Sequence, residues 1–187
     1  VVSSNTYRYA LAFLLISLMA CQKDLSEHDE GSLQASTAKT NSSVASSTER
    51  MLQTDLQKAV YSANARYHST TQAIKAGYVP DTRCVSHPIL GGMGYHWVNR
   101  SLIDPVFDPL TPEVLLYATG PGGKLKLVAV EYLVIRGTET QPRPMFDNQL
   151  FDIGSGAPIP VYHWSLHAWL YEHNPAGMFR PFNPNIT

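Results

Sequence analysis

Cysteine is scarce in this 187-residue chain: Cys21 and Cys84 are the two present. Neither sign of charge prevails, with 14 Lys and Arg against 15 Asp and Glu and a formal net charge of -1. Nothing forms a basic stripe of the kind that tracks nucleic acid, and nothing forms an acidic tail. Nucleic acid is therefore not an expected partner. A long hydrophobic run is also missing. The longest, Ala10 to Ala20 (ALAFLLISLMA), falls short of the roughly 20 apolar residues that a spanning helix needs. Internal repeats are absent. So are the G-x-S-x-G elbow, the P-loop and the dinucleotide-binding glycine fingerprint.

What is present begins at the N-terminus. A polar stretch with one positive charge at Arg8 precedes the apolar run, and a small residue, Ala20, ends it. That order is the order of a secretory signal, expected over residues 1–20. The segment Leu18-Met19-Ala20-Cys21 resembles the lipobox of bacterial lipoproteins. The resemblance implies cleavage before Cys21 and a diacylglyceryl group on its thiol. Two or more acyl chains anchor stably where one is marginal. The mature chain is thus expected on the periplasmic side of the inner or outer membrane, or at the cell surface, with the membrane as its partner. Lipid on Cys21 leaves Cys84 as an intermolecular partner, a free thiol or an inert buried one.

Residues 21–45 carry Ser, Thr, Ala, Asn and charge but almost no large apolar side chains. They cannot offset the entropy of ordering and read as a tether, spanning about 28 Å if flexible. One globular domain is expected over residues 46–187. Ser46 and Glu49 have capping-box spacing. Leu52, Leu56, Ala59, Val60, Ala63, Tyr67 and Ile74 fall three or four apart, until Gly77 and Pro80. This pattern predicts one long helix from Ser46 to Ala76, straight or kinked. Short apolar stretches follow. Strands are expected at Tyr95–Val98, Val114–Ala118, Leu125–Ile135 and Tyr162–Tyr171, with a hairpin at Gly120-Pro-Gly-Gly123. Gly137 to Pro160 reads as a long loop. The expected class is α+β: one long N-terminal helix packed on a small antiparallel β-sheet, with long Pro/Gly-rich loops.

Three segments carry chemical interest. Gly91-Gly-Met-Gly-Tyr-His-Trp-Val-Asn99 sets His96 just after glycines that permit close backbone approach. Leu127-Val-Ala-Val-Glu-Tyr-Leu-Val134 is apolar on both faces and forces Glu131 inward, beside Leu127, Ala129 and Leu133 by strand phase. A buried carboxylate is costly unless paired, hydrogen-bonded or metal-bound. In Tyr162 to Phe179, His163 and His167 share a face as strand or as helix, and His173 falls near the strand end. Together His96, Glu131, His163 and His167 make a ligand set suited to Zn, Cu or non-haem Fe. The bland readings are hydrogen-bonded core histidines, and a Glu131 paired with His96, Arg136 or Arg180. Asp104-Pro and Asp108-Pro are read as Asx turns. Met93, Met145 and Met178 are read as gap fillers before soft ligands.

The segments Gly92 to Asn99, Pro112 to Tyr117, Leu127 to Tyr132 and Leu166 to Phe179, closed by F-N-P-N, are together similar to a family of uncharacterised secreted proteins and lipoproteins of bacteria. The resemblance runs from about Ala59 to the C-terminus and implies no particular activity. It does imply a cysteine after the final N-P-N that pairs with one at Cys84. Here Thr187 ends the chain, so the chain is truncated or that disulfide is absent. The expected role is an envelope lipoprotein that binds a metal ion or small polar ligand through the His/Glu cluster. An enzyme using the same groups is one alternative, weakened by the lack of an evident nucleophile. A structural or interaction lipoprotein with no ligand site is the other.

Overall fold

The computed structural model describes residues 54–187 apart from 139 and 157–158. The signal segment, Cys21, the tether and the Ser46/Glu49 capping box lie outside the described residues. The expectation of one long N-terminal helix on a small sheet is overturned: the described chain is mostly a curled antiparallel β-sheet with short helices on one face.

Helix α1 runs over Asp55–Asn64. Thr54 takes an extended conformation, and its side chain accepts from Gln57 N, so the helix begins there. The carboxylate of Asp147 accepts from both the Thr54 hydroxyl (2.7 Å) and the Gln57 amide (2.9 Å), which ties this cap to the distant Phe146–Gln149 turn. A 3-10 turn covers Ala65–His68, Ser69 is extended, and α2 covers Thr70–Lys75. Periodicity runs straight through this break because no Gly or Pro marks it. The local residues, Ser69-Thr70-Thr71, are weak helix formers whose side chains compete with the backbone. The buried apolar positions are Val60, Tyr67 and Ala73, whereas Ile74 is half exposed and Ala59 lies on the outer face.

The strands are β1 Cys84–His87, β2 Gly91–Val98, β3 Val114–Thr119, β4 Leu125–Ile135, β5 Met145–Phe146, β6 Gln149–Leu150, β7 Asp152–Gly156 and β8 Ile159–Ala168. Six of them form one sheet in the order β1-β2-β3-β4-β8-β7, all neighbours antiparallel. The expected loop from Gly137 to Pro160 in fact holds the β5–β6 hairpin and edge strand β7. The last strand is shifted from the expected Tyr162–Tyr171: it begins at Ile159 and ends at Ala168, so Trp169 to Tyr171 lie beyond it. Cys84, half-buried at the head of β1, is disulfide-bonded, which removes the free-thiol and inert-thiol readings.

Two bulges set which side chains face which way. Opposite Leu116-Tyr117 of β3, Ala129 and Leu127 of β4 are paired, and Val128 is the extra residue. Leu127 therefore joins the helix-side core with Tyr117, rather than sharing a face with Glu131, while Val128 packs on the opposite side with Leu116 and Ala129. A second, in β2, places Met93 between two residues that pair with β1, next to Gly94, where φ is +91°. An added Cβ there would sit 2.3 Å from the Tyr117 carbonyl oxygen. Only glycine fits that approach.

The main core lies between the sheet and the helices. It includes Trp97, Leu115, Val130, Tyr132, Trp164 and Leu166 from the sheet, Val60, Tyr67 and Ala73 from the helical segment, and Phe146 and Phe151. Tyrosine hydroxyls bond across the layers: Tyr117 donates to Tyr67 O, and Tyr171 to Tyr61 O. On the far face, Ile186 and Trp169 cover Leu116, Val128 and Ala129. The C-terminal segment is held there through Gly92, whose N–H lies 2.7 Å from Ile186 O, while Asn183 N donates to Gly92 O. An added Cβ at Gly91 would meet Asn183 O at 2.2 Å. The glycines before His96 thus admit the protein's own tail.

Candidate functional site

The rest of that far face carries the titratable cluster. Glu131 pairs directly with His167 across the β4–β8 ladder. On the other side Glu131 pairs with Val114 of β3, which in turn pairs with Val98 of β2. His96 sits two residues before Val98 and so shares that face. It reaches Glu131 over β3, across Val114 and Leu116. His96 Nε2 lies 3.6 Å from Glu131 Oε2, and His167 Nε2 lies 3.9 Å from the same oxygen. One ligand atom from each of the three residues falls within 4.8 Å of the others. The two imidazole rings are 6.0 Å apart and nearly perpendicular.

These distances exceed those of hydrogen bonds. Glu131 Oε2 and His167 Nε2 are buried with no hydrogen-bond partner, as is His96 Nδ1. The Gly94 backbone comes near enough to His96 to favour its protonated form slightly, without the geometry of a hydrogen bond. Burial is the dominant influence on all three residues. It pushes Glu131 up to about 8, helped by the charge of Glu113. It lowers His96 to about 4 and His167 to about 3, the latter aided by His96. At neutral pH the cluster therefore holds a protonated carboxyl and two neutral imidazoles. Neutral imidazole is the form that ligates metal.

His163 does not join the three. It shares their face on β8 and lines the same cavity, but its Nδ1 is 2.8 Å from Val161 O. Its ring packs beneath Gly154, where an added Cβ would meet His163 Nε2 at 2.5 Å. His173 lies past the strand end, and its carbonyl accepts from the side chains of Asn183 and Asn185. Neither arginine weighed as a partner for Glu131 takes that role. The basic side chains within 4 Å of its carboxyl, among the described residues, are the two histidines. Asp104 and Asp108 form Asx turns, accepting from Val106 N and Leu110 N. Asn99 is buried, donating to Ala76 O and accepting from the Ser101 hydroxyl, a structural role.

Several residues at the site escaped the sequence. Glu113 is buried and accepts from Leu133 N at 3.0 Å, continuing the β3 side of the ladder with a side chain. Its burial raises it to about 7. The signal was available, since Glu113 directly precedes the apolar run of β3. A cavity of about 640 Å³ opens over the cluster, lined also by Asp81, Arg83, Met93, Arg100, Asp152 and Ser165. Arg83 is occupied by Asp81, with Nη2 2.8 Å from Oδ2. No short-range sequence pattern brings these residues to one cavity. Compared with protein families, with curated proteins and with solved structures, the chain matches none.

Proposed function

We propose that this protein is an envelope lipoprotein whose sheet binds one divalent transition metal through His96 Nε2, Glu131 and His167 Nε2. The spacing from Glu131 to each histidine carries the reading, with one ligand atom from each of the three residues within 4.8 Å of the others. Zn–N and Zn–O bonds of 2.0–2.2 Å at tetrahedral angles put neighbouring ligand atoms about 3.4 Å apart. Observed separations of 3.6 and 3.9 Å are close to that value and too long for the groups to satisfy one another. A purely structural triad would close into hydrogen bonds, because unpaired buried polar atoms cost about 1–3 kcal/mol each. Two imidazoles and one carboxylate suit Zn, Cu or Fe. The signal-like N-terminus and the LMAC segment support the anchored location.

The test uses the full mature chain, equilibrated with Zn(II), Co(II) or Cu(II), freed of excess metal, and analysed for bound metal and melting temperature. One equivalent and a metal-dependent rise in Tm are expected. A ligand at 100 times its Kd stabilises by about 2.7 kcal/mol. His167→Ala and the near-isosteric Glu131→Gln, each checked for folding by circular dichroism, should lose both. Substoichiometric metal in the parent protein, with no shift in Tm, overturns the reading.

A further inference from the structure

We propose that the cavity leads to an open fourth coordination position and takes a small oxyanion, a carboxylate or phosphate, held between the metal and Arg100. This inference rests on the metal reading above and adds the class of ligand. Within the described residues three side chains converge as ligands, and the cavity opens directly over them. Closed structural zinc sites use four protein ligands, whereas three ligands and an accessible side leave a position for water or an exchangeable ligand. His96 is the most exposed of the three, so it marks the side that faces the cavity.

The charge on the cavity wall selects for an anion. A divalent ion held by one carboxylate and two neutral imidazoles keeps a net positive charge. Arg83 adds little, because its guanidinium is matched by Asp81 on several hydrogen bonds. Asp152 is on the lining and stands 3.9 Å from Arg143, a cation that is not. Arg100 is different. It lies on the 3-10 turn Arg100–Leu102 directly after β2, is exposed, and lines the cavity. Among the described residues no acid pairs with it. A guanidinium fork matches carboxylate and phosphate geometry, with two parallel donors. Ser165, between His163 and His167 on the same face of β8, adds a hydroxyl to the wall. The volume suits a small molecule.

Co(II)-loaded full-length protein gives the readout, since its visible absorption reports coordination geometry. Acetate and inorganic phosphate are titrated separately, with acetamide as the uncharged control. Saturable spectral change with either anion, and none with acetamide, is expected. Arg100→Ala should weaken anion binding about 10- to 100-fold, the range of one charge-assisted hydrogen bond, while Co(II) affinity stays within twofold. Arg100→Lys should recover part of the loss. A Co(II) spectrum indifferent to both anions overturns the inference and leaves the metal reading standing. Anion binding unaffected in Arg100→Ala also overturns it. A protein that takes up no Co(II) sinks both.

Discussion

At the scale of single residues, burial sets the chemistry of the cluster before any metal arrives. Glu131 is held protonated up to about 8, well above its ordinary 4.5, and its proton must leave for the carboxylate to ligate. Metal affinity should therefore climb about tenfold per pH unit from 6 to 8 and level off above that, with one proton released per metal bound. Chelator competition at pH 6, 7 and 8 measures it, and a flat profile would contradict the role of Glu131. The histidines add no slope in this window, since they are already neutral. Stability of the metal-free protein follows the opposite sign. A carboxyl with a raised folded pKa contributes fully below 4.5 and loses that contribution as pH rises through about 8. The lowered histidines favour the fold above 6.5 and disfavour it as pH falls toward about 4 and 3. Glu131→Gln should accordingly raise the metal-free Tm at pH 8 while abolishing metal binding.

At the scale of elements, the bulge in β2 brings Met93 to the face that carries His96. Met93 and His96 both line the cavity although regular alternation would put them on opposite faces. The extra residue and the positive φ at Gly94 account for it. Gly94→Ala meets both a left-handed backbone and the Tyr117 carbonyl. A loss of about 2–3 kcal/mol is expected, with weakened metal binding as His96 shifts; unchanged urea unfolding would refute this account. Elements were unevenly legible in the sequence. The span of β4, Leu125–Ile135, followed directly from its apolar run and flanking turn. The helix did not, because its break at Ser69 carries neither Gly nor Pro. The Leu127 and Val128 faces were exchanged for a related reason: a bulge leaves composition unchanged and reverses phase.

On the scale of the whole molecule, the sheet divides the protein in two. One face packs under the helices and the Phe146/Phe151 cluster, and the other is shared between the C-terminal segment and the cavity. No helix among the described residues is long and apolar enough to cross a membrane. In the reading proposed above the anchor is Cys21, which requires that the disulfide of Cys84 be made to a second molecule, since these are the two cysteines of the sequence. Mass spectrometry of the membrane fraction should find an N-terminal peptide that begins at Cys21 and carries diacylglyceryl mass. Cys21 recovered in a disulfide would overturn the anchor, because one sulfur cannot hold both bonds.

The sequence by itself determined the inward placement of Glu131, since an apolar run on both sides leaves a central strand no polar face. It also determined that His163 and His167 share a face, because period two holds along an unbroken strand. Only the tertiary structure decided that His96 and His167 meet at Glu131 while His163 packs beneath Gly154. That choice depends on cross-strand register, on two bulges and on the curl of six strands, all of which are relations between distant segments. The glycines before His96 make the same point. Their sequence permits close approach by any group, and the folded chain fills that space with its own tail.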